Sequence, residues 1–263
     1  GYLDKDDLDY MREINYSDNP AYEQLYERKT KVLKKAFEGF KKENREDIVE
    51  EFKKFKKENS WWLDNYSLYM SLKFKFNGKS WQDWSKDYKY RNVKKMLIDE
   101  EIKKNIDYFS FVQYTFYKQW FKLKEYANSN GIKIIGDIPI FVATDSADTW
   151  SNSDIFQFDK YKRPKRVAGC PPDYFSKDGQ LWGNVLYDWK KLKESGYQWW
   201  VKRIEYSFKI YDIVRIDHFR GFEAYWSIAA KDKTAVKGHW EKGPGIEFFR
   251  VLERRIGKKP IIA

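Results

Sequence analysis

The chain has 263 residues, 42% hydrophobic and 19% aromatic, which is enough apolar material for the core of one large domain or two small ones and excludes a disordered chain. Its net charge is +11, but 39 of the 51 basic residues are lysines interleaved with Glu and Asp, the pattern of a solvated helical surface; with no nucleic-acid module or clean basic stripe, no nucleic-acid partner is expected. A single cysteine, Cys170, excludes an internal disulfide, and the lack of a signal peptide or long apolar run points to the cytoplasm and to no membrane partner.

From Pro20 to Phe40 the apolar positions Tyr22, Leu25, Tyr26, Val32, Leu33, Ala36, Phe37 and Phe40 recur at three and four residues and predict an amphipathic helix. Asp47 is placed to cap a second one, with Ile48, Val49, Phe52 and Phe55 on its buried stripe. The pattern continues from Trp61 to Phe76, ends at Asn77-Gly78, resumes near Val93 and runs, with a break, from Ile106 to Ala127. Trp81 and Trp84 fall between these helices in a polar setting. Aromatics this dense serve cores first, so residues 1–130 read as helical scaffold without a catalytic constellation.

At Asn128-Ser129-Asn130-Gly131 the helix stops, with Gly131 suited to the left-handed conformation that closes many helices. Ile132 to Val142 is then nearly continuous apolar sequence, as expected of a parallel strand covered on both faces. Asp137 interrupts it. A carboxylate in such a run is costly unless paired, so Asp137 is either a site residue or a structural hydrogen-bond acceptor. The connection from Thr144 to about Tyr187 is too long for an ordinary loop and reads as a covering loop. It holds Pro171-Pro172-Asp173-Tyr174-Phe175-Ser176 and Gly179-Gln180-Leu181-Trp182-Gly183-Asn184, aromatics beside amide and carboxylate groups, the mixture sugars require. A loop held together by its own aromatics is the plain alternative.

Trp189 to Ile210 reads as helices broken at Ser195-Gly196. Tyr211-Asp212-Ile213-Val214-Arg215-Ile216-Asp217-His218 then carries an apolar strand into charged sequence. Side chains alternate along a strand, so Arg215 and Asp217 share one face and Val214 and Ile216 the other. A guanidinium beside a carboxylate favours its ionised form, which suits an aspartate that attacks as an anion; a structural ion pair at a strand end is the alternative. The alternation of strands and helices implies a parallel sheet or barrel. The chain closes on Lys259-Pro260-Ile261-Ile262-Ala263, an apolar run that reads as a strand stopped part-way, so an internal fragment is expected. The only histidines are His218 and His239, and no metal-ligand spacing is present, so neither metal nor cofactor is expected.

Three stretches resemble one family: Gly136-Asp137-Ile138-Pro139-Ile140-Phe141-Val142, the Pro171–Asn184 motifs above, and Val214-Arg215-Ile216-Asp217-His218-Phe219-Arg220-Gly221-Phe222. They are similar, in order, to the signatures of the 4-α-glucanotransferases, the amylomaltases or disproportionating enzymes; Tyr66-Ser67-Leu68-Tyr69-Met70-Ser71-Leu72 and Gln119-Trp120 fit more loosely. The resemblance implies an α/β fold in which residues 131–263 form a (β/α)8 TIM-barrel fragment and residues 1–130 a helical insertion subdomain. It implies retaining transfer of 1,4-α-glucan segments between maltooligosaccharides, with no cofactor. Barrel sites gather at the carboxyl ends of strands, where Asp137 and Asp217 fall.

By the same resemblance Asp217 is the nucleophile that forms a covalent glucosyl-enzyme, and Arg215 holds it ionised. His218 contacts sugar, Asp137 stands beside the site, Asp173, Tyr174 and Phe175 form a loop over the acceptor region, and Trp182 with Asn184 forms the adjacent wall. A covering loop excludes water, so that a sugar 4-hydroxyl intercepts the intermediate. Val185 stands where the family commonly has proline. In the family a Pro-Ile-Ile-Ala-like strand is followed at once by the acid/base Glu, and here the sequence stops at Ala263, so the expectation is a fragment inactive by itself. The rival readings are a related α-glucan hydrolase and a non-catalytic module that binds glucan or nucleic acid.

Overall fold

The computed structural model describes residues 2–13 and 21–263. Its helices and strands run in the order α1 (Lys5–Arg12), α2 (Tyr22–Glu43), α3 (Glu46–Lys75), α4 (Lys86–Lys89), α5 (Val93–Met96), α6 (Glu100–Ser129), β1 (Ile135–Pro139), α7 (Ala147–Ser151), β2 (Arg166–Cys170), β3 (Gln180–Val185), α8 (Trp189–Glu194), α9 (Gln198–Ile210), β4 (Ile213–Asp217), β5 (Ala224–Ala229), β6 (His239–Lys242), α10 (Gly245–Ile256) and β7 (Ile261–Ile262). The chain divides into two compact units, one of residues 1–75 and 94–118 and one of residues 76–93 and 119–263.

The first unit is helical. Helix α1 is closed by a capping box in which the Asp4 carboxylate accepts from the Asp7 N–H and the Asp7 carboxylate from the Asp4 N–H. The predicted start of the next helix at Pro20 lies outside the described residues; from Tyr22 the helix runs as its periodicity requires, burying Val32, Ala36, Phe37 and Phe40 and ending on Asn44 in the left-handed region. Phe40 stacks on Phe111 at 4.9 Å and meets Phe52 edge-on at 5.5 Å, so aromatic rings from three helices make one core. Asp47 is not a cap. It sits in the first turn of α3 and pairs with Arg45, and the two predicted helices beyond it are one helix of 30 residues that ends before Asn77 and Gly78, both at positive φ. No break falls between Phe55 and Trp61 because the buried stripe continues unbroken through Leu63 and Leu72, both fully buried. Each contributes about 1.5–3 kcal/mol of apolar burial.

The second unit holds two sheets. Strands β1, β4 and β7 form a parallel sheet in that order, with helices α8 and α9 between the first pair and α10 between the second. Strand β1 is shorter than its apolar run, which spans Ile132–Val142. Ile140, Phe141 and Val142 are buried, at 1%, 5% and 9% exposure, yet the chain has left the sheet: the Ile140 carbonyl accepts from the Tyr187 hydroxyl. Core-lining loop and strand have the same hydrophobicity, so the run length alone could not separate them. The strand is also not covered on both faces, because Ile135, Asp137 and Pro139 are exposed.

The connection from Thr144 to Tyr187 is not one structureless loop. It contributes β2 and β3, which join β5 and β6 in a four-stranded antiparallel sheet of order β3-β2-β5-β6, with a register shift between Val167 and Gly169. These strands are short, and one carries a glycine where an added Cβ would stand 2.1 Å from the Gln180 carbonyl, so no long alternation announced them. Trp81 and Trp84, set among polar neighbours in the sequence, are the core residues that aromatics of this kind were expected to be, at 0% and 4% exposure; their indole N–H groups are satisfied by the carbonyls of Thr144 and Lys79. Among the described residues no helix is long and apolar enough to cross a membrane, and no cluster of three or more His, Cys, Asp and Glu side chains is arranged to hold a metal.

Candidate active site

The site is set by the pairing of β1 with β4, whose parallel register puts Asp137 opposite Arg215 and Pro139 opposite Asp217. Val214 and Ile216 fill the core on one face of β4, at 0% and 1% exposure, which turns Arg215 and Asp217 to the open face. Arg215 donates from Nε to Asp137 Oδ1 at 3.0 Å and from Nη2 to Asp137 Oδ2, a two-point fork. The same Nη2 lies 3.6 Å from Asp217 Oδ1, beyond hydrogen-bonding distance. The guanidinium is therefore fastened to Asp137 and offers Asp217 its charge. Hydrogen bonding from Arg215 holds the Asp137 carboxyl below its ordinary range, and the same bond raises Arg215.

After Asp217 the backbone turns sharply. His218 has φ of +54°, and the Gly221 N–H donates back to the His218 carbonyl at 2.8 Å. An added Cβ at 221 would approach Ile140 Cδ1 to 2.8 Å, so a larger residue there requires the Ile140 side chain to shift. His218 Nε2 is buried and has no hydrogen-bond partner among the described residues. Burial pushes this imidazole below its ordinary value, the Asp217 charge opposes that and Arg220 adds to it, so at neutral pH the ring is uncharged. Trp182 stands edge-on to His218 at 4.8 Å and donates its indole N–H to Gln180.

The other sequence candidates are placed differently. Asn184 donates to the Val142 carbonyl at 2.9 Å, which ties β3 to the segment following β1. Asp173 is engaged in its own loop, its Oδ1 accepting from the N–H groups of Phe175 and Ser176. Tyr174 and Phe175 pack edge-on against each other and are 97% and 94% exposed. Sequence reasoning missed the residues that hold the end of β1: Tyr187, whose hydroxyl donates to Ile140 at 2.7 Å, and Arg203, which donates to the Pro139 carbonyl at 2.7 Å and stacks on Trp200. Their partners lie dozens of residues away, so spacing carried no signal. Arg220 was quoted within a motif without a role; it lies over the Trp240 ring at 4.0 Å.

An exposed carboxylate at a strand end, beside a fixed guanidinium and an uncharged imidazole, can serve as a nucleophile toward an electrophilic carbon. A family model described as 4-alpha-glucanotransferase matches residues 2–263. The chain belongs to the 4-alpha-glucanotransferase family. It is 49% identical over 266 residues to the 4-alpha-glucanotransferase of Clostridium butyricum, covering 99% of this chain and 53% of that protein. To the 4-alpha-glucanotransferase of Thermus thermophilus it is 42% identical, over 92% of this chain and 49% of that protein. The amylomaltase of Streptococcus agalactiae, solved in complex with acarbose, superposes with a TM-score of 0.93 at 40% identity, covering all of this chain and 53% of that one. The chain thus spans about half the length of the 4-alpha-glucanotransferases it matches.

Proposed function

We propose that this chain carries the nucleophile half of a 4-alpha-glucanotransferase that transfers 1,4-α-glucan segments between maltooligosaccharides with retention. The carrying observation is the Asp137–Arg215–Asp217 alignment across two adjacent parallel strands. In this reading β1, β4 and β7, parallel and side by side in the sheet, belong to a (β/α)8 barrel, and the site lies at its carboxyl-terminal mouth. Asp217, 3.6 Å from the Arg215 guanidinium, attacks the anomeric carbon, and the bond from that carbon to the departing sugar breaks, leaving Asp217 glycosylated. His218 contacts the bound sugar, and Trp182 with Tyr174 and Phe175 supplies apolar faces for the acceptor. Asp173 and Asn184 act one step back, shaping the loop and the wall.

Asp137 is not the acid/base partner. Arg215 occupies both its oxygens and keeps it ionised, whereas a general acid must hold a proton at the working pH. The second carboxylate, about 5 to 5.5 Å from the nucleophile in retaining enzymes, is assigned to residues outside these 263, so this chain alone has no turnover. The relatives' names favour transfer over hydrolysis and over a non-catalytic module. The enzyme works in the cytoplasm without a cofactor. Incubation of the full-length protein with maltotriose tests the reading: glucose together with maltopentaose and longer chains is expected, and maltose with glucose alone would make it a hydrolase.

A further inference from the structure

Past the nucleophile the chain builds a second feature that the chemistry above does not use. Arg220 closes the turn that begins at His218, and its guanidinium carbon lies 4.0 Å above the Trp240 ring. Trp226 meets Trp240 edge-on at 5.3 Å and is fixed by its own indole N–H on the Ala235 carbonyl. Strand β6, which carries Trp240, is pinned where it leaves the sheet: the Gly243 N–H donates to the Glu223 carbonyl at 2.8 Å, and an added Cβ at 243 would stand 2.2 Å from the Phe222 carbonyl oxygen. Trp240 is thus packed against Trp226 and Arg220, yet it remains 45% exposed. Among the described residues Arg220 has no carboxylate partner, so its guanidinium is uncompensated where it lies over the Trp240 ring. Trp226 is paired with Gly169 of β2, which sets this feature beside the strand that leads into the loop bearing Tyr174 and Phe175.

We propose that Trp240 and Arg220 form a platform for a glucosyl unit remote from the bond being broken, so that it reads the length of the bound glucan. The chemistry fits that ligand class. A pyranose ring lays its C–H face on an indole, and an unpaired guanidinium offers five N–H donors to its hydroxyls. Continuity supports one ligand for both places, since the turn that carries Arg220 follows directly on Asp217. A purely structural cation–π pair would give no dependence on ligand length.

The proposal rests on the glucan-binding reading of the Asp217 site, and its test is separable from it. In the full-length protein, with Asp217→Asn to stop turnover, dissociation constants for maltotriose and maltoheptaose are measured by calorimetry. Trp240→Ala is expected to weaken maltoheptaose about three- to tenfold, the equivalent of one aromatic contact, and to bring the two constants together. Trp240→Phe keeps a ring and retains part of the difference. An unchanged maltoheptaose-to-maltotriose ratio in either variant that keeps the parent melting temperature overturns the platform. Failure of the unsubstituted enzyme to lengthen maltotriose would sink the proposed activity and leave the ratio to speak for the platform; binding of neither sugar would sink both.

Discussion

Gly136 offers a direct test of how β1 is seated. It is buried on the strand that carries Asp137, and an added Cβ would fall 2.0 Å from Tyr211 Cδ2 and 2.2 Å from Cγ. Those atoms are the root of a ring, not the end of a flexible chain, and the ring is itself packed edge-on to Trp120 at 6.0 Å. Two effects oppose each other in Gly136→Ala. Removing a glycine restricts the unfolded chain and favours the fold by about 0.4–1 kcal/mol, whereas overpacking a filled site costs about 1–3 kcal/mol or more. Overpacking wins, since contact at half the normal separation cannot be relieved by small shifts. The expected net loss is about 1–2 kcal/mol, read in urea as a lower midpoint with an unchanged slope for the unit that holds the sheets. Tyr211→Ala in the same background removes the obstruction, so the double variant loses less than the sum of the two singles. An unchanged or higher midpoint for Gly136→Ala would refute the register of β1 against the chain entering β4.

Tyr187→Phe leaves the Ile140 carbonyl only a 3.4 Å contact from Arg203, and stability in urea is expected to fall by about 1–3 kcal/mol. Asp212 accepts from the Ile134 N–H, Lys124 and Asn128, and its carboxyl is held at about 2 against an ordinary 3.8, first by the backbone bond. Its folded value is depressed, so its stabilisation is complete above pH 3.8 and is lost as pH falls toward 2; Asp212→Asn should flatten acid unfolding across that window, followed by circular dichroism. Arg215→Lys replaces the fork on Asp137 by a single contact, and in the full-length enzyme kcat is expected to fall on the order of a hundredfold with KM little changed.

The surroundings of Asp217 were legible because a strand writes its two faces into alternate residues: Val214 and Ile216 against Arg215 and Asp217 needed no tertiary knowledge. The helices of the first unit were legible for the same reason at a different period, although one helix was divided in two where polar residues follow Phe55. What the residues could not convey was partnership across distance. Nothing near Arg215 indicated that its fork would close on Asp137, 78 positions earlier, since that depends on the register of two parallel strands. The antiparallel sheet hidden in the Thr144–Tyr187 stretch was missed because its strands are short and glycine-bearing, and Asn184 was read as a wall residue although its amide is used on the Val142 backbone.

The claim that Asp217 bonds to sugar carbon is tested most directly by trapping. The full-length protein is incubated with a fluorinated glucosyl donor that glycosylates the enzyme faster than it is released, then digested and analysed by mass spectrometry. One glycosyl group on the peptide that contains Asp217, absent from the Asp217→Asn variant, is the expected result. A glycosyl group on any other side chain, or undiminished transfer by Asp217→Asn, would contradict it.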